Sequence, residues 1–553
     1  MKIRGLLGCC FSISESLRKS AARPAFRYNL LRMLRTQLYA DPTGRFVHDL
    51  ILESCRRFPN KTAIVDTSCN RRISYAEYGE TVEALARGFI AAGLKPGDVV
   101  AIFLCNCWEF CAAYHAATLA GAIPTLLNPT YREREARYQL ENSGAAFLIT
   151  DGPSIEGLNL GGLPNLRRVY TTRQSAAGAE PFAHLLQPTT ASFPTPDQPS
   201  DQTLAALPYS SGTTGLPKGV MLTHHNLVAN VFQFVAPNAT GLSPDDVILC
   251  FLPLYHIYGL NVMLNPALAL GATLVLIPRF HPQQVPALLV QENITMMPTV
   301  PPALLAMCQS AEAGNFPKNH NVHWVKSGAA PLAPELARRF TTLTGILVCQ
   351  GYGMTEASPV THIGYLDPKL YRPESIGRPL FQTECRVVDE LGNELPVGQP
   401  GELVMRGPQF MLGYWKNPEA TAAALRDGWF WSGDVVTRDP EDFFVVVDRR
   451  KEMIKYKGFP VAPAEVESVL LEHPAVRDCG VVGCPDPGAG EIPVAFVVLH
   501  EGCVASEKMK TELCGFVADR LTHYKQPRAV RFVEAIPKTA SGKILRRELK
   551  QLV

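Results

Sequence analysis

The sequence predicts an α/β protein: a large N-terminal multilayer domain with buried sheets, followed by a small α+β domain at the C-terminus. Three observations predict it. Short β-branched runs alternate with helical periodicity through residues 98–150, as in parallel βαβ units whose strands are covered on both faces. The chain has 553 residues, room for about three to four domain-sized units. Past Val447 its character changes, where the charged run Asp448-Arg-Arg-Lys-Glu452 precedes short strands and two helices.

Taken in order, the first 36 residues hold eight Lys or Arg against a single acid, Glu15. Residues 1–40 read as a basic extension, either an untied terminus or an organellar transit segment. The apolar run from Leu6 to Ile13 is interrupted by Cys9, Cys10 and Ser12 and lacks a secretory core. A large domain over residues 41–448 opens its repeating part with a strand at Asp98–Phe103 and a helix at Trp108–Gly121. A strand at Ala122–Thr125, a helix at Arg132–Ser143 and a strand at Ala146–Thr150 follow. The Pro/Ser/Thr-rich segment Gln187–Gln202 reads as a surface connection. Val247–Pro278 carries no charge and is long enough for a bilayer helix,. Pro253, Gly259, Asn261, Asn265 and Pro266 break it, so a strand (Val247–Phe251), a buried helix (Leu260–Leu270) and a second strand (Thr273–Ile277) are expected, with no integral membrane span. Residues 449–553 form the small domain, with helices at Pro463–Leu471 and Ser506–Leu521.

Composition narrows the function. Lys plus Arg is 53 against 51 for Asp plus Glu, a net charge of +2, which supplies no overall field for gripping nucleic acid. The 15 cysteines are odd in number, with no CxxC pair and no zinc-finger spacing. They read as reduced thiols of a cytoplasmic protein.

The strongest local signal is Tyr209-Ser-Ser-Gly-Thr-Thr-Gly-Leu-Pro-Lys-Gly219. Backbone amides and the hydroxyls of Ser210, Ser211, Thr213 and Thr214 around Gly212 suit phosphate oxygens, and Lys218 adds a cation. Pro217 before the lysine and Gly219 after it exclude a Walker A loop. In Gly351-Tyr-Gly-Met-Thr-Glu356 an aromatic sits between two glycines, so a flat base can approach the backbone and stack on Tyr352. Asp434, behind the aromatic run Trp429-Phe-Trp431, is placed to accept two hydrogen bonds from vicinal hydroxyls. Taken singly, an exposed Asp434 or Arg449 is a solvated charge and His256 a satisfied core histidine.

Together these blocks resemble the adenylate-forming superfamily of acyl- and aryl-CoA synthetases, and most of all its 4-coumarate–CoA ligase-like branch. The resemblance runs from about Gly44 to Lys550. It is carried in order by YSSGTTGLPKGVMLTH (209–224), LPLYHIYG (252–259), GYGMTE (351–356), WSGD (431–434), DRRKEMIKYKGF (448–459) and PKTASGKILRR (537–547). It implies an ATP-dependent carboxylic acid–CoA ligase that works through an acyl-AMP, with ATP, Mg²⁺ and CoA bound in turn. Tyr352 would pack on adenine, with Gln350 and Gly351 in the same cleft. Thr355 would contact the α-phosphate, Glu356 hold Mg²⁺, and Asp434 and Arg449 bind ribose. His256 would gate the carboxylate site. Tyr258, Asn261, Val262, Gly328, Ala329, Gly353, Pro359, Val360 and Ile363 would line the acyl pocket. Lys543 would bridge carboxylate and phosphate, Lys455 would stand near AMP in the second half-reaction, and Arg279, Lys457 and Gly458 would border the CoA path. Lys451 would be the hinge of a mobile small domain.

Two substrate classes stay open, aryl or cinnamate-like acids and medium- or long-chain fatty acids, because the nucleotide blocks are common to both. An amino-acid substrate is disfavoured, since Leu252–Gly259 offers no acid to pair with an α-amine. A nucleotide-binding scaffold without catalysis is disfavoured by the presence of both Lys543 and Glu356. The chain departs from plant aryl-CoA ligases at Pro460, which follows Phe459 where a glutamine is usual and removes a backbone donor. Val262 and Ile363 also differ, which puts phenol-specific hydrogen bonding in doubt. Oligomeric state stays open.

Overall fold

The computed structural model describes residues 44–552 except 157, 195–200, 211–216, 238, 450–451, 458, 487–488 and 540–541, and the side chain of Pro460. The basic extension at 1–40, Cys9, Cys10 and part of the 187–202 connection lie outside the described residues.

The alternation read in the sequence becomes parallel sheet. Val99–Phe103 and Ala145–Thr150 are buried along their whole lengths, so they read as continuous apolar runs without alternation. With Ile123–Leu126, Arg168–Thr171 and Glu180–Pro181 they make a five-stranded sheet in which every neighbouring pair is parallel. Its helix Trp108–Leu119 stops two residues short of the expected Gly121. Leu127 N–H donates to Ile102 O at 2.9 Å just past the sheet, and Leu207 N–H donates to Pro124 O at 2.8 Å, joining it to a smaller antiparallel sheet built on Lys218–Thr223.

A nine-stranded sheet holds the largest core. Its parallel centre runs through Thr62–Asp66, Thr273–Leu276, Val247–Cys250, Met296–Thr299, Trp324–Ser327 and Val348–Gly353. Antiparallel strands close both edges: Arg71–Ser74 on one side, Val360–Ile363 and Arg378–Pro379 on the other. The uncharged stretch splits across this core as expected, with one correction. Residues 259–270 are not one α-helix but a π-helical turn, Gly259–Leu264, followed by an α-helix, Asn265–Leu270. Pro266 has no N–H to close an ordinary turn onto residue 262, and Asn265 N–H instead reaches back to Leu260 O,. Among the described residues no helix is long and apolar enough to cross a membrane.

An antiparallel sheet of Glu384–Val388, Gly401–Arg406 and Trp429–Arg438 follows, with Phe444–Arg449 paired to Trp429–Arg438. That last strand carries the ladder through Arg449, which pairs with Asp434. Beyond it, residues 454–549 supply two further cores of their own around Val476–Asp486 and Gly490–Leu499. Helices Pro463–Leu471 and Glu507–Ala518 stand where the periodicity placed them. A third helix, Arg546–Lys550, was too short to give a periodic signal,. The fold is thus mixed α/β with a large N-terminal part and a smaller C-terminal one. All cysteines among the described residues are unpaired.

Candidate active site

The candidate residues gather where the parallel strands of the large sheet end, the edge at which open α/β sheets bind ligands. Val348–Gly353 turns back through Thr355–Ala357 into the antiparallel strand Val360–Ile363, bringing Gln350, Gly351, Tyr352, Gly353, Thr355, Glu356, Pro359, Val360 and Ile363 into one hairpin. Tyr352 Oη donates to Asp434 Oδ2 at 2.5 Å, and Arg449 Nε lies 3.2 Å from Asp434 Oδ1. Asp434 is only 5% exposed, so it is no solvated charge. Burial and the facing carboxylate push the Tyr352 phenol well above its ordinary range, which keeps it a donor. The ring of His362 stands edge-on against Tyr352, centroids 5.7 Å apart.

Glu356 and Lys218 meet through a residue the sequence reading did not single out. Tyr414 Oη donates to Glu356 Oε1 at 2.8 Å, and the Lys218 ammonium lies 5.1 Å from the centre of the Tyr414 ring,. The ladder Val220↔Tyr414 sets this arrangement. Ser210 pairs with Lys218 across a short antiparallel ladder. Ser211, Gly212, Thr213 and Thr214 lie outside the described residues. Tyr414 sits in no recognisable motif, and only the pairing of distant strands reveals it.

The candidate acyl wall is close-packed. Tyr258 Oη donates to Thr299 O and Lys326 O at 3.3 and 3.2 Å, and its ring lies so near Gly328 that a Cβ there would stand 3.1 Å from Cε1. Ala329 follows in the left-handed region at φ +66. His256 Nδ1 accepts from Tyr258 N–H at 3.1 Å. Burial lowers its pKa to about 4, so the ring is neutral with Nε2 carrying the proton. Asn261 is fully buried, and its amide donates to Ser358 O at 2.6 Å and Leu227 O at 3.2 Å. Val262 is buried in the same turn. The Gln350 side chain is likewise engaged, accepting from Leu332 N–H and donating to Pro373 O. Lys326, a lone lysine inside an apolar strand and therefore visible in the sequence, is 3% exposed. Its ammonium donates to Gly364 O at 2.6 Å, and burial lowers its pKa to about 8.

From the C-terminal part, the turn bearing Lys543 reaches this site. Gly542, at φ +84, packs on Pro302 so tightly that a Cβ would come within 2.6 Å of the proline ring. Lys543 feels the charges of Arg449, Glu452 and Asp434. Arg546 anchors the turn behind it, donating to Glu452 at 2.7 Å and to both oxygens of Glu467 at 2.7 and 2.8 Å. Lys455 and Lys457, by contrast, are exposed on and after the strand Ile454–Tyr456, and Arg279 is exposed beyond Thr273–Leu276. Lys451 and Gly458 lie outside the described residues. The arrangement joins the Tyr352–Asp434–Arg449 cluster, a phenol and a guanidinium on one buried carboxylate, to two further cations, Lys218 and Lys543, a geometry suited to a nucleotide polyphosphate.

This fold is that of an AMP-binding enzyme. The model of that family matches residues 51–415, and that of the AMP-binding enzyme C-terminal domain matches residues 465–543; the chain belongs to this family and to its 4-coumarate–CoA ligase branch of AMP-forming acid–thiol ligases. It is 39% identical over 513 residues to 4-coumarate–CoA ligase 2 of Solanum tuberosum, covering 91% of this chain and 93% of that one. Against 4-coumarate-CoA ligase 1 of Narcissus pseudonarcissus it is 37% identical over 538 residues, with 95% and 97% covered. Among solved structures it is similar to ATP-bound MatB from Rhodopseudomonas palustris, with TM-score 0.83, 28% identity and 92% and 99% of the two chains covered. It is also similar to the anthranilate CoA ligase AuaEII in complex with anthranoyl-AMP, with TM-score 0.82, 26% identity and 92% and 97% covered.

Proposed function

We propose that this chain converts an aryl, cinnamate-like carboxylic acid to its CoA thioester, with ATP cleaved to AMP and pyrophosphate. The observation that carries the reading is the joining of Tyr352, Asp434 and Arg449 at the strand ends, with Lys543 brought to the same charges from the C-terminal part. A carboxylate and the α-phosphate of ATP repel each other, so their in-line reaction needs positioned cations more than covalent help. Lys218 and Lys543 fill that role. Attack of the carboxylate oxygen on the α-phosphorus forms acyl-AMP and expels pyrophosphate. The CoA thiol then loses its proton and attacks the acyl carbon, and AMP leaves. Tyr352, backed by His362, offers a ring face to adenine, and Asp434 and Arg449 suit the ribose hydroxyls. Neutral His256, with its proton on Nε2, suits a carboxylate oxygen.

For Mg²⁺ the fit rests on Glu356, a half-buried carboxylate with one oxygen held by Tyr414 and a hard-oxygen chemistry matched to the ion,. The ion supplies neutralisation of phosphate charge. A larger domain over 41–448, a smaller one over 449–553 and a hinge at Lys451 fit the separate cores, and movement of the smaller one would exchange Lys543 for the Lys455 and Gly458 face in the second step. Reduced, unpaired cysteines fit a cytoplasmic setting.

The test is a panel of cinnamic, benzoic and medium- and long-chain acids, assayed for pyrophosphate and AMP with and without CoA and with and without Mg²⁺. Turnover of cinnamate-like acids, with AMP release dependent on CoA, is expected. Formation of ADP would overturn the adenylate mechanism, and preference for unbranched fatty acids would overturn the substrate class.

A further inference from the structure

We propose that Tyr138 and Asn142 are positioning residues of the phosphate-binding loop: one face of the helix Glu133–Ser143 clamps both feet of the Gly/Ser/Thr-rich run and so fixes where Lys218 stands when ATP arrives. The proposal rests on the reading that this run receives the polyphosphate.

Tyr138 and Asn142 are four residues apart and share a helix face. Tyr138 Oη donates to Pro217 O at 3.0 Å, directly before Lys218. Asn142 Oδ1 accepts from Tyr209 Oη at 2.7 Å, directly before Ser210. The two feet are themselves paired, Ser210 with Lys218 and Tyr209 with Gly219, and the rings of Tyr138 and Tyr209 meet edge to face with centroids 6.4 Å apart. The main-chain oxygen of Asn142 closes the far side, accepting from Trp415 Nε1 at 3.1 Å and Lys416 Nζ at 2.8 Å. Trp415 N–H in turn donates to Gly219 O at 2.8 Å. Tyr414, next in the chain, holds Glu356 and faces Lys218. One turn of helix therefore gathers both ends of the loop and the segment that carries Tyr414.

A cation helps phosphate chemistry only where it is held in place beforehand. Anchoring the feet supplies that placement. Pyrophosphate leaves with the first half-reaction, so the clamp matters to adenylation and is idle in thiol transfer. A residue serving stability alone would depress both.

The experiment compares Tyr138→Phe, Asn142→Ala and the double variant with the unaltered protein, using the most active acid of the panel. ATP KM is read from pyrophosphate release, and the second half from pre-made acyl-AMP plus CoA. Each lost bond is expected to raise the ATP KM about 3- to 10-fold, with the acid KM and the acyl-AMP-plus-CoA rate unchanged and melting temperature recorded alongside. An unchanged ATP KM in the double variant, or an equal loss in both halves, overturns the clamp. Lys218→Ala separates the two levels of the argument. If it leaves ATP use intact, the loop reading fails and the clamp falls with it. If Lys218→Ala impairs ATP use while the clamp variants do not, only the clamp fails.

Discussion

Burial, with Arg449 beside it, holds the Lys543 ammonium down to about 8, so its charge is present below that pH and lost as pH rises through it. Adenylation kcat/KM, which reports the free enzyme, is therefore expected to fall on the alkaline side of about 8. Lys543→Ala should lower adenylation on the order of 10²–10³-fold, lose that alkaline limb, and still make thioester from supplied acyl-AMP and CoA. Single-turnover assays across pH check both statements, and equal damage to the two halves would count against the assignment. Ala329 follows Gly328 and Tyr258 on the candidate acyl wall. Ala329→Leu should overfill it, at about 1–3 kcal/mol for ring-bearing acids, and penalise short linear acids less; kcat/KM ratios across the panel measure this, and a uniform loss would place Ala329 outside the pocket. Lys543 was legible because its turn carries a motif. Tyr414 was not, since its contacts with Glu356 and Lys218 join segments 58 residues apart and far beyond.

At the scale of the element, the π-helical turn Gly259–Leu264 is pinned by a directed chain of buried hydrogen bonds. Tyr78 Oη donates to His115 Nδ1 at 2.6 Å, His115 Nε2 to Asn265 Oδ1 at 3.0 Å, and Asn265 Nδ2 to Asn261 Oδ1 at 2.8 Å. Asn261 Nδ2 ends the chain on Ser358 O and Leu227 O. Only a neutral His115 can both accept and donate, and burial lowers its pKa to about 3. Asn261→Leu would take a donor from the Ser358 and Leu227 carbonyls and an acceptor from the Asn265 amide, and each buried polar group left unpaired costs about 1–3 kcal/mol. Chemical denaturation should register that loss. If the turn also shapes the acyl pocket, the acid KM should rise while the ATP KM holds; a stability loss with both KM values unchanged would confine Asn261 to the scaffold. Sequence placed an element here and named Asn261, but the wide turn escaped it, because hydropathy periodicity does not distinguish one helical winding from another over a single turn.

At the scale of the whole molecule, the close packing of Gly542 on Pro302 makes docking of the C-terminal part testable without touching a charge. Gly542→Leu should block that docking, because the neighbour is a proline ring that cannot swing aside and the backbone is left-handed there,. Adenylation should fail while thioester formation from acyl-AMP survives. Gly458→Trp should show the reverse, adenylating normally and failing at transfer; if either variant impairs both halves equally, alternation of the two parts about Lys451 is wrong. The sequence by itself determined the α/β class, the elements over residues 98–150 and 247–277, two helices of the C-terminal part and the family, because periodicity, turn residues and short motifs are local properties of the chain. It also named Tyr352, Asp434, Arg449 and Lys543, each by its motif. Only the tertiary structure decided that Asp434 is buried between a phenol and a guanidinium, that Tyr414 joins Glu356 to Lys218, and that one helix face holds Tyr209 and Pro217 at the two ends of the Gly/Ser/Thr-rich run. Those contacts depend on which strands pair and which ends of a sheet coincide, and pairing across hundreds of residues leaves no trace in any local stretch of sequence.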